Sequence, residues 1–206
     1  MPRKAKVAYK TKETDIRIEI NLDGSGKNDI KTPVPFLSHM LANFSKHGLI
    51  DLKVAATGDV EVDLHHTVED TGLRIGEAIK KALGSAGGIT RCGSATVPMM
   101  DSLATVVVDL SMRPYLKFSV AGDAARIESK VVYASEGVRV FDLGLAKEFL
   151  KALSNSSGAD LHVRIDYADD IHHAIEAVFK ALGRAMRQAT SKDSRIKGVL
   201  STKGKL

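Results

Sequence analysis

The chain has 206 residues, 44% of them hydrophobic and 27% charged, a balance that argues against wholesale disorder and needs neither disulfide nor metal merely to fold. Its one cysteine, Cys92, excludes a disulfide framework, a cysteine zinc finger and an iron–sulfur cluster within one chain, and points to a reducing, cytoplasmic compartment. Lys and Arg number 30 against 25 Asp and Glu, a net charge of +5 that would attract a phosphorylated metabolite, nucleic acid or an anionic membrane.

Taken in chain order, Ile16, Ile18, Ile20 and Leu22 alternate with Arg17, Glu19 and Asn21, the period of a half-buried strand. Asp23-Gly24-Ser25-Gly26 supplies turn residues. A helix-like stretch from Phe36 is flanked by His39 and His47, and strands are expected over Leu49–Ala56 and Val60–Leu64. Val68, Gly72, Ile75, Ile79 and Ala82 recur at helical steps up to a stop at Gly84. Strands follow at Ala95–Met99, Leu103–Leu110, Tyr115–Val120, Val131–Tyr133 and Val138–Phe141. A helix spans Leu145–Leu153 and ends over Ser154–Gly158; a strand carries Leu161, Val163 and Ile165; a last helix carries Ile175, Phe179, Leu182, Met186 and Ala189. No apolar run approaches the roughly 18 residues of a membrane span, and the basic start, Met1 to Lys6, has no apolar segment behind it, which argues against a secretory leader. The charges at the ends (Arg3, Lys4, Lys6, Lys10 and Lys12; Lys192, Arg195, Lys197, Lys203 and Lys205) read as basic, solvated tails. Aromatics are 5% and Trp is absent, so stacking on nucleic-acid bases is poorly supported.

One pattern occurs twice. His65-His66-Thr67-Val68-Glu69 opens the first long helix and His172-His173-Ala174-Ile175-Glu176 opens the last, 107 residues later. The chain therefore reads as α+β, two similar halves from an internal duplication, each a small sheet packed with helices: 1–93, 94–192, and a basic tail over 193–206. Within each element the histidines lie three and four residues from the Glu, on one helix face with Cβ atoms about 5–6 Å apart. Two imidazoles and a carboxylate on one face can bind a divalent cation, although adjacent imidazoles diverge and could serve two different ions. With nitrogen and oxygen donors and no thiolate, zinc, manganese, iron and nickel all remain open, the carboxylates leaning towards manganese. For an anion there are Arg91 among Gly87, Gly88 and Gly93, Arg113 before Pro114, and Ser201-Thr202-Lys203-Gly204. Guanidinium, hydroxyl and ammonium groups of this kind suit phosphate. His162 reads as structural.

These residues resemble the imidazoleglycerol-phosphate dehydratase family of histidine biosynthesis along almost the whole chain. The resemblance runs through Lys12-Glu13-Thr14, Phe36-Leu37-Ser38-His39-Met40-Leu41, His47-Gly48 and His65 to Asp70. It continues through Gly88 to Arg91, Val97-Pro98-Met99, Val108-Asp109-Leu110 and Arg113-Pro114-Tyr115, and closes with Leu161-His162, His172 to Ala177 and Ser201 to Gly204. It implies a ribosomal protein S5 domain 2-like fold and a hydro-lyase that turns imidazole glycerol phosphate into imidazole acetol phosphate with two Mn2+ per active site. It also implies a cage-like homo-oligomer, a 24-mer, with sites shared between subunits. Position by position, His39, His65, His66, Glu69, His172, His173 and Glu176 correspond to metal ligands. Glu13, His39, His47, Arg91, Arg113, Ser201 and Lys203 correspond to substrate contacts, with Glu13, His47 and Glu176 the candidates for proton transfer. Where the family has Asp before the His of its Phe-Leu-Asp-His-Met stretch this chain has Ser38, and where it has a metal-binding His this chain has Glu148, whose carboxylate is an acceptable ligand for a hard cation. The alternatives are a metal-dependent phosphohydrolase and a divergent, non-catalytic, anion-binding paralogue.

Overall fold

The computed structural model describes residues 3–133 and 139–206. The first strand, β1 (Lys4–Lys10), pairs antiparallel with β2 (Thr14–Asn21). After β3 (Asn28–Lys31) the chain enters α1 (Pro35–Gly48), with Pro35 supplying a helical φ at the N-terminus and Leu49 in the left-handed region ending it. It then runs through β4 (Asp51–Gly58) into α2 (His65–Leu83). The sheet order is β1-β2-β4-β3, with β4 antiparallel to β2 and parallel to β3.

The second half repeats this arrangement. The hairpin of β5 (Cys92–Met99) and β6 (Ser102–Asp109) is followed by β7 (Tyr115–Val120), a 3-10 helix (Gly122–Ile127), and the short pair β8 (Val131–Tyr133) and β9 (Arg139–Asp142). Then come α3 (Leu143–Ser157), β10 (Asp160–Tyr167) and α4 (Ile171–Thr190). Its four-stranded sheet has the order β5-β6-β10-β7, antiparallel at β6/β10 and parallel at β7/β10. Position for position this is the first sheet again, with the β8–β9 pair added. The duplication expected from the repeated His-His-x-x-Glu is thus present in the strand order itself.

The helices cross between the halves: α2 packs on the first sheet and against α3, and α4 packs on the second sheet and against α1. Two glycines permit this. A Cβ at Gly76 would stand 2.5 Å from Leu153 O and 2.9 Å from Ser157 N; a Cβ at Gly183 would stand 2.5 Å from Phe44 O and 2.9 Å from Gly48 N. Gly183 follows Gly76 by 107 residues, the spacing of the His-His pairs. Phe44, Phe149, Phe179, Ile75 and Leu182 fill the layer between, all 0–1% exposed.

Several expectations need correction. Val60–Leu64 is a turn, closed by Val62 N donating to Asp59 O, with Val62 exposed; the alternation is real but no neighbouring strand pairs with it. The α3 helix does not stop at Leu153 but continues to Ser157, where Gly158 caps it in the left-handed region. The basic ends are not loose tails. Lys4, Lys6 and Lys10 belong to β1, whose Val7 is buried, and Lys6 and Lys10 pair with Glu19 and Asp15. The C-terminal segment folds back through Gly88 N to Gly198 O and an isolated bridge of Ile89 with Lys192. Met1 and Pro2, and Val138 of the strand expected over Val138–Phe141, lie outside the described residues. Among the described residues no helix is long and apolar enough to cross a membrane.

Gly76→Ala and Gly183→Ala should each lower stability by about 1–3 kcal/mol, the range for overpacking a close-packed contact. Urea unfolding followed by far-UV circular dichroism checks this, and an unchanged midpoint in both variants would contradict the crossed-helix packing.

Candidate metal centre

Two side-chain groups converge among the described residues. His39 of α1 meets His172 and Glu176 of α4, and His65 and Glu69 of α2 meet Glu148 of α3, the ligand atoms in each group lying within 4.8 Å of one another. In the first, Nε2 of His39 and of His172 stand 3.1 and 3.2 Å from the same oxygen of Glu176, Oε2. In the second, His65 Nε2 stands 3.6 Å from Glu69 Oε2. Each group takes the first His and the Glu from one half and its third member from a helix of the other half, so the crossed packing assembles both. His39 and Glu148 are equivalent under the duplication: each lies five residues before the carbonyl, Phe44 O or Leu153 O, that the crossing glycine approaches.

The second histidine of each pair points elsewhere. The rings of His65 and His66 are 6.3 Å apart and nearly perpendicular, and those of His172 and His173 are 6.0 Å apart at 71°. His66 Nδ1 lies 3.0 Å from Asp59 Oδ2, and His173 Nδ1 lies 3.1 Å from Asp101 Oδ1. A carboxylate on one ring nitrogen fixes the tautomer and leaves Nε2 as a lone-pair donor, the arrangement of a metal-ligating histidine. Donating this hydrogen bond to the Asp59 carboxylate raises the pKa of His66.

Glu176 is buried beneath its group. Burial pushes its carboxyl pKa up, but the Lys180 ammonium at 2.6 Å and the His39 hydrogen bond outweigh this and hold it below the usual range. Glu13 stands on the exposed tip of the β1–β2 hairpin, 4.0 Å from His66 Nδ1. The tip is anchored by buried Thr14, whose hydroxyl donates to Asp70 at 2.6 Å. Asp101 occupies the corresponding tip of β5–β6. The two hairpins thus carry a carboxylate to the same place in each half, but only Asp101 is tied to its histidine. His47 lies two turns beyond His39, about 12 Å along α1, its pKa lowered by burial and by the nearby Lys180 and Arg184. His162 lies on the outer face of β10, half-exposed and 3.2 Å from Asp160.

Arg91, Arg113, Ser201 and Lys203 come together in a separate open cavity of about 560 Å³, with Val199, Leu200 and Thr202. The Arg91 guanidinium is already engaged, by Asp109 at 2.6 and 2.7 Å and by Leu200 O at 2.8 Å. The Arg113 guanidinium and Lys203 ammonium carry no ion pair among the described residues. Sequence reasoning missed Asp59 and Asp101, the carboxylates that aim His66 and His173. Neither stands at a motif spacing: Asp101 comes from a hairpin tip and Asp59 from the loop after β4, and only the fold brings each beside a helix N-terminus.

The cavity and the two His/Glu groups lie at opposite ends of the helix layer. Arg91 N donates to Ala189 O, near the C-terminal end of α4 and about 20 Å along the helix from Glu176. The second ruler is β6, which leads from Asp101 at His173 to Asp109 at Arg91 over roughly 25 Å.

The family model described as imidazoleglycerol-phosphate dehydratase matches residues 32–186. Proteins of that name from Geobacter sulfurreducens and Shouchella clausii are each 50% identical over 206 residues, covering 100% of this chain and of the relative. The crystal structure of the Pyrococcus furiosus enzyme in complex with (S)-C348 superimposes with a TM-score of 0.77 at 37% identity, over 97% of this chain and 100% of that one. The Staphylococcus aureus structure does so with a TM-score of 0.74 at 32% identity, over 94% and 100%. The family match over residues 32–186 and the end-to-end identity to these relatives place the chain in the imidazoleglycerol-phosphate dehydratase family.

Proposed function

We propose that the chain dehydrates D-erythro-imidazole glycerol phosphate to imidazole acetol phosphate in histidine biosynthesis, with two Mn2+ per active site. The observation that carries this reading is the symmetric pair of His/Glu groups, each converging on a space bounded by nitrogen and oxygen donors alone. Those donors suit a hard or borderline divalent cation, so the residues present fit the group the family implies. His39, His172 and Glu176 would hold one ion and His65, Glu69 and Glu148 the other. When bound, the ions supply Lewis acidity at the substrate's imidazole nitrogens.

The residues of the chain do the rest. The proton to be removed sits on a carbon with no activating carbonyl, so a carboxylate alone faces a high barrier and must act on a ring already held and polarised. Glu13, exposed on its hairpin tip beside His66, is the group we assign to proton transfer at the substrate. Loss of the hydroxyl next to the ring as water and removal of the hydrogen from the neighbouring carbon, which keeps its own hydroxyl, leave an enol that tautomerises to the ketone. Glu176, kept ionised by Lys180, serves both as ligand and as acceptor within reach of the ring. Arg113, Lys203 and Ser201 bind the phosphate, with Arg91 presented by Asp109; that remote binding energy orients the reacting carbons.

An imidazole joined to a phosphate through three carbons spans roughly 9 Å at ordinary bond lengths. This is less than half the distance between the cavity and the His/Glu groups of one chain. A single chain cannot hold both ends of the substrate, so we infer that the cavity of one copy faces the His/Glu groups of another. His66 and His173, aimed away from their own groups, are then free to complete a neighbour's, and His47 contributes a substrate contact from the cavity side. The 24-copy cage is our reading of how such contacts close. We divide the chain at 93/94 and 192/193, the first cut falling two residues inside β5 (Cys92–Met99). The exposed, unpaired Cys92 supports a reducing, cytoplasmic setting.

Glu176→Gln should lower kcat by about 10²-fold or more while circular dichroism stays unchanged; near-normal turnover would remove Glu176 from the chemistry. Copies carrying Arg113→Ala and copies carrying Glu176→Gln should each be nearly inactive. When they are unfolded and reassembled together, roughly a quarter of the sites should combine intact halves from two copies. Activity that remains at the level of the separate variants would show that each chain forms its own complete site.

A further inference from the structure

We propose that the two cation positions are chemically unequal. On this reading the His65/Glu69/Glu148 group is a hard, doubly anionic site that fills first with Mn2+, and the His39/His172/Glu176 group is an imidazole-rich, electrically balanced site with a preference for softer ions. The proposal rests on the reading of both groups as cation sites. Its ground is the duplication. Residues related by it make matching contacts, so differences between the groups isolate what each half has changed.

Two differences coincide. The third member of the group is His39 in one case and Glu148 in the other, at equivalent positions five residues before the helix-crossing carbonyl. One site therefore has two nitrogens and one carboxylate, the other one nitrogen and two carboxylates. The second difference lies one turn along the helix. Lys180, its side chain 15% exposed, holds Glu176 Oε1 at 2.6 Å, whereas the residue 107 positions earlier is Leu73. The Glu176 side chain is 8% exposed and its charge is met by a buried ammonium; that of Glu69 is 42% exposed with no lysine in contact among the described residues. Glu148 has Lys151 at 3.4 Å, but that ammonium is 55% exposed and solvent screens it. The net side-chain charge facing an ion is thus near −2 at one position and near zero at the other.

Carboxylate oxygen favours Mn2+ and Mg2+, imidazole nitrogen favours zinc and nickel, and the number of charged ligands tunes cation affinity over decades. The metal-stripped full-length assembly is titrated with Mn2+, free ion being read by electron paramagnetic resonance, and Zn2+ is then added. Wild type should bind Mn2+ in two phases of equal amplitude separated by about tenfold or more in apparent Kd, and low Zn2+ should release only the weaker half. Glu148→His, a change at a partly exposed position, should abolish the tighter phase and let Zn2+ displace both halves together; His39→Glu should instead tighten the weaker phase. A single class of sites in wild type overturns the proposal, as do two classes that Glu148→His leaves unaltered. Failure to take up Mn2+ at all overturns the metal-centre reading itself and so separates the two failures.

Discussion

Everything at the His/Glu end of the molecule depends on how closely α2 can lie on α3 and α4 on α1. With glycine at 76 and 183 the backbones come near enough for Cβ-to-carbonyl distances of 2.5 Å, tighter than any side chain allows. That approach draws the first turns of the helices together as well, so a side chain from α1 reaches the His172/Glu176 face and one from α3 reaches the His65/Glu69 face. A helix presenting a histidine and a glutamate four residues apart supplies only two donors. The third comes from the opposite half, so each group measures the docking of the halves as much as the local sequence.

Orientation is handled separately from assembly. The first His of each pair is aimed by its helix at the glutamate one turn on. The second is turned away and held by a carboxylate, Asp59 in one half and Asp101 in the other. These two come from different places: Asp101 sits on a hairpin tip, Asp59 in the loop after β4. Because Asp59 has taken over the aiming of His66, the carboxylate on the first hairpin tip, Glu13, is released from that duty. Thr14 and Asp70 still hold the tip in place. One copy of the duplicated hairpin therefore orients a ligand, while the other presents an exposed acid to the same region.

Much of the architecture was legible in the sequence for a plain reason: the repeated His-His-x-x-Glu lies on two strongly periodic helices, where apolar spacing and helix stops agree. The same 107-residue offset also marks Gly76 and Gly183, a signal that periodicity alone treats as mere tolerance of glycine. What stayed hidden depends on partners. The alternation of Val60–Leu64 means a strand only if another strand lies beside it, and none does. The lysines of β1 look like a solvated tail until β2 supplies the pairing that buries Val7. Arg91 reads as a free anion ligand until Asp109, 18 residues on, accepts from its Nε and Nη2. Glu148 carries no local signal: the family resemblance alone marks its position, and only the fold sets it beside His65 and Glu69.

Duplication gives a molecule two equivalent groups of side chains that could hold a cation, and equivalence is lost most easily where a change does not disturb the packing. The crossing glycines admit no substitution without a backbone shift, so the geometry of both groups is conserved between halves. The third ligand and the residue behind the glutamate sit at the margin of the contact, where His39 and Glu148, or Lys180 and Leu73, fit the same space with different charge. Variation is thereby channelled into electrostatics while the framework stays fixed. Under the proposed function, a substrate that joins a ring to a phosphate would make use of such a framework only if a second copy brought its Arg113 and Lys203 across, because within one chain the length of α4 keeps the two ends apart.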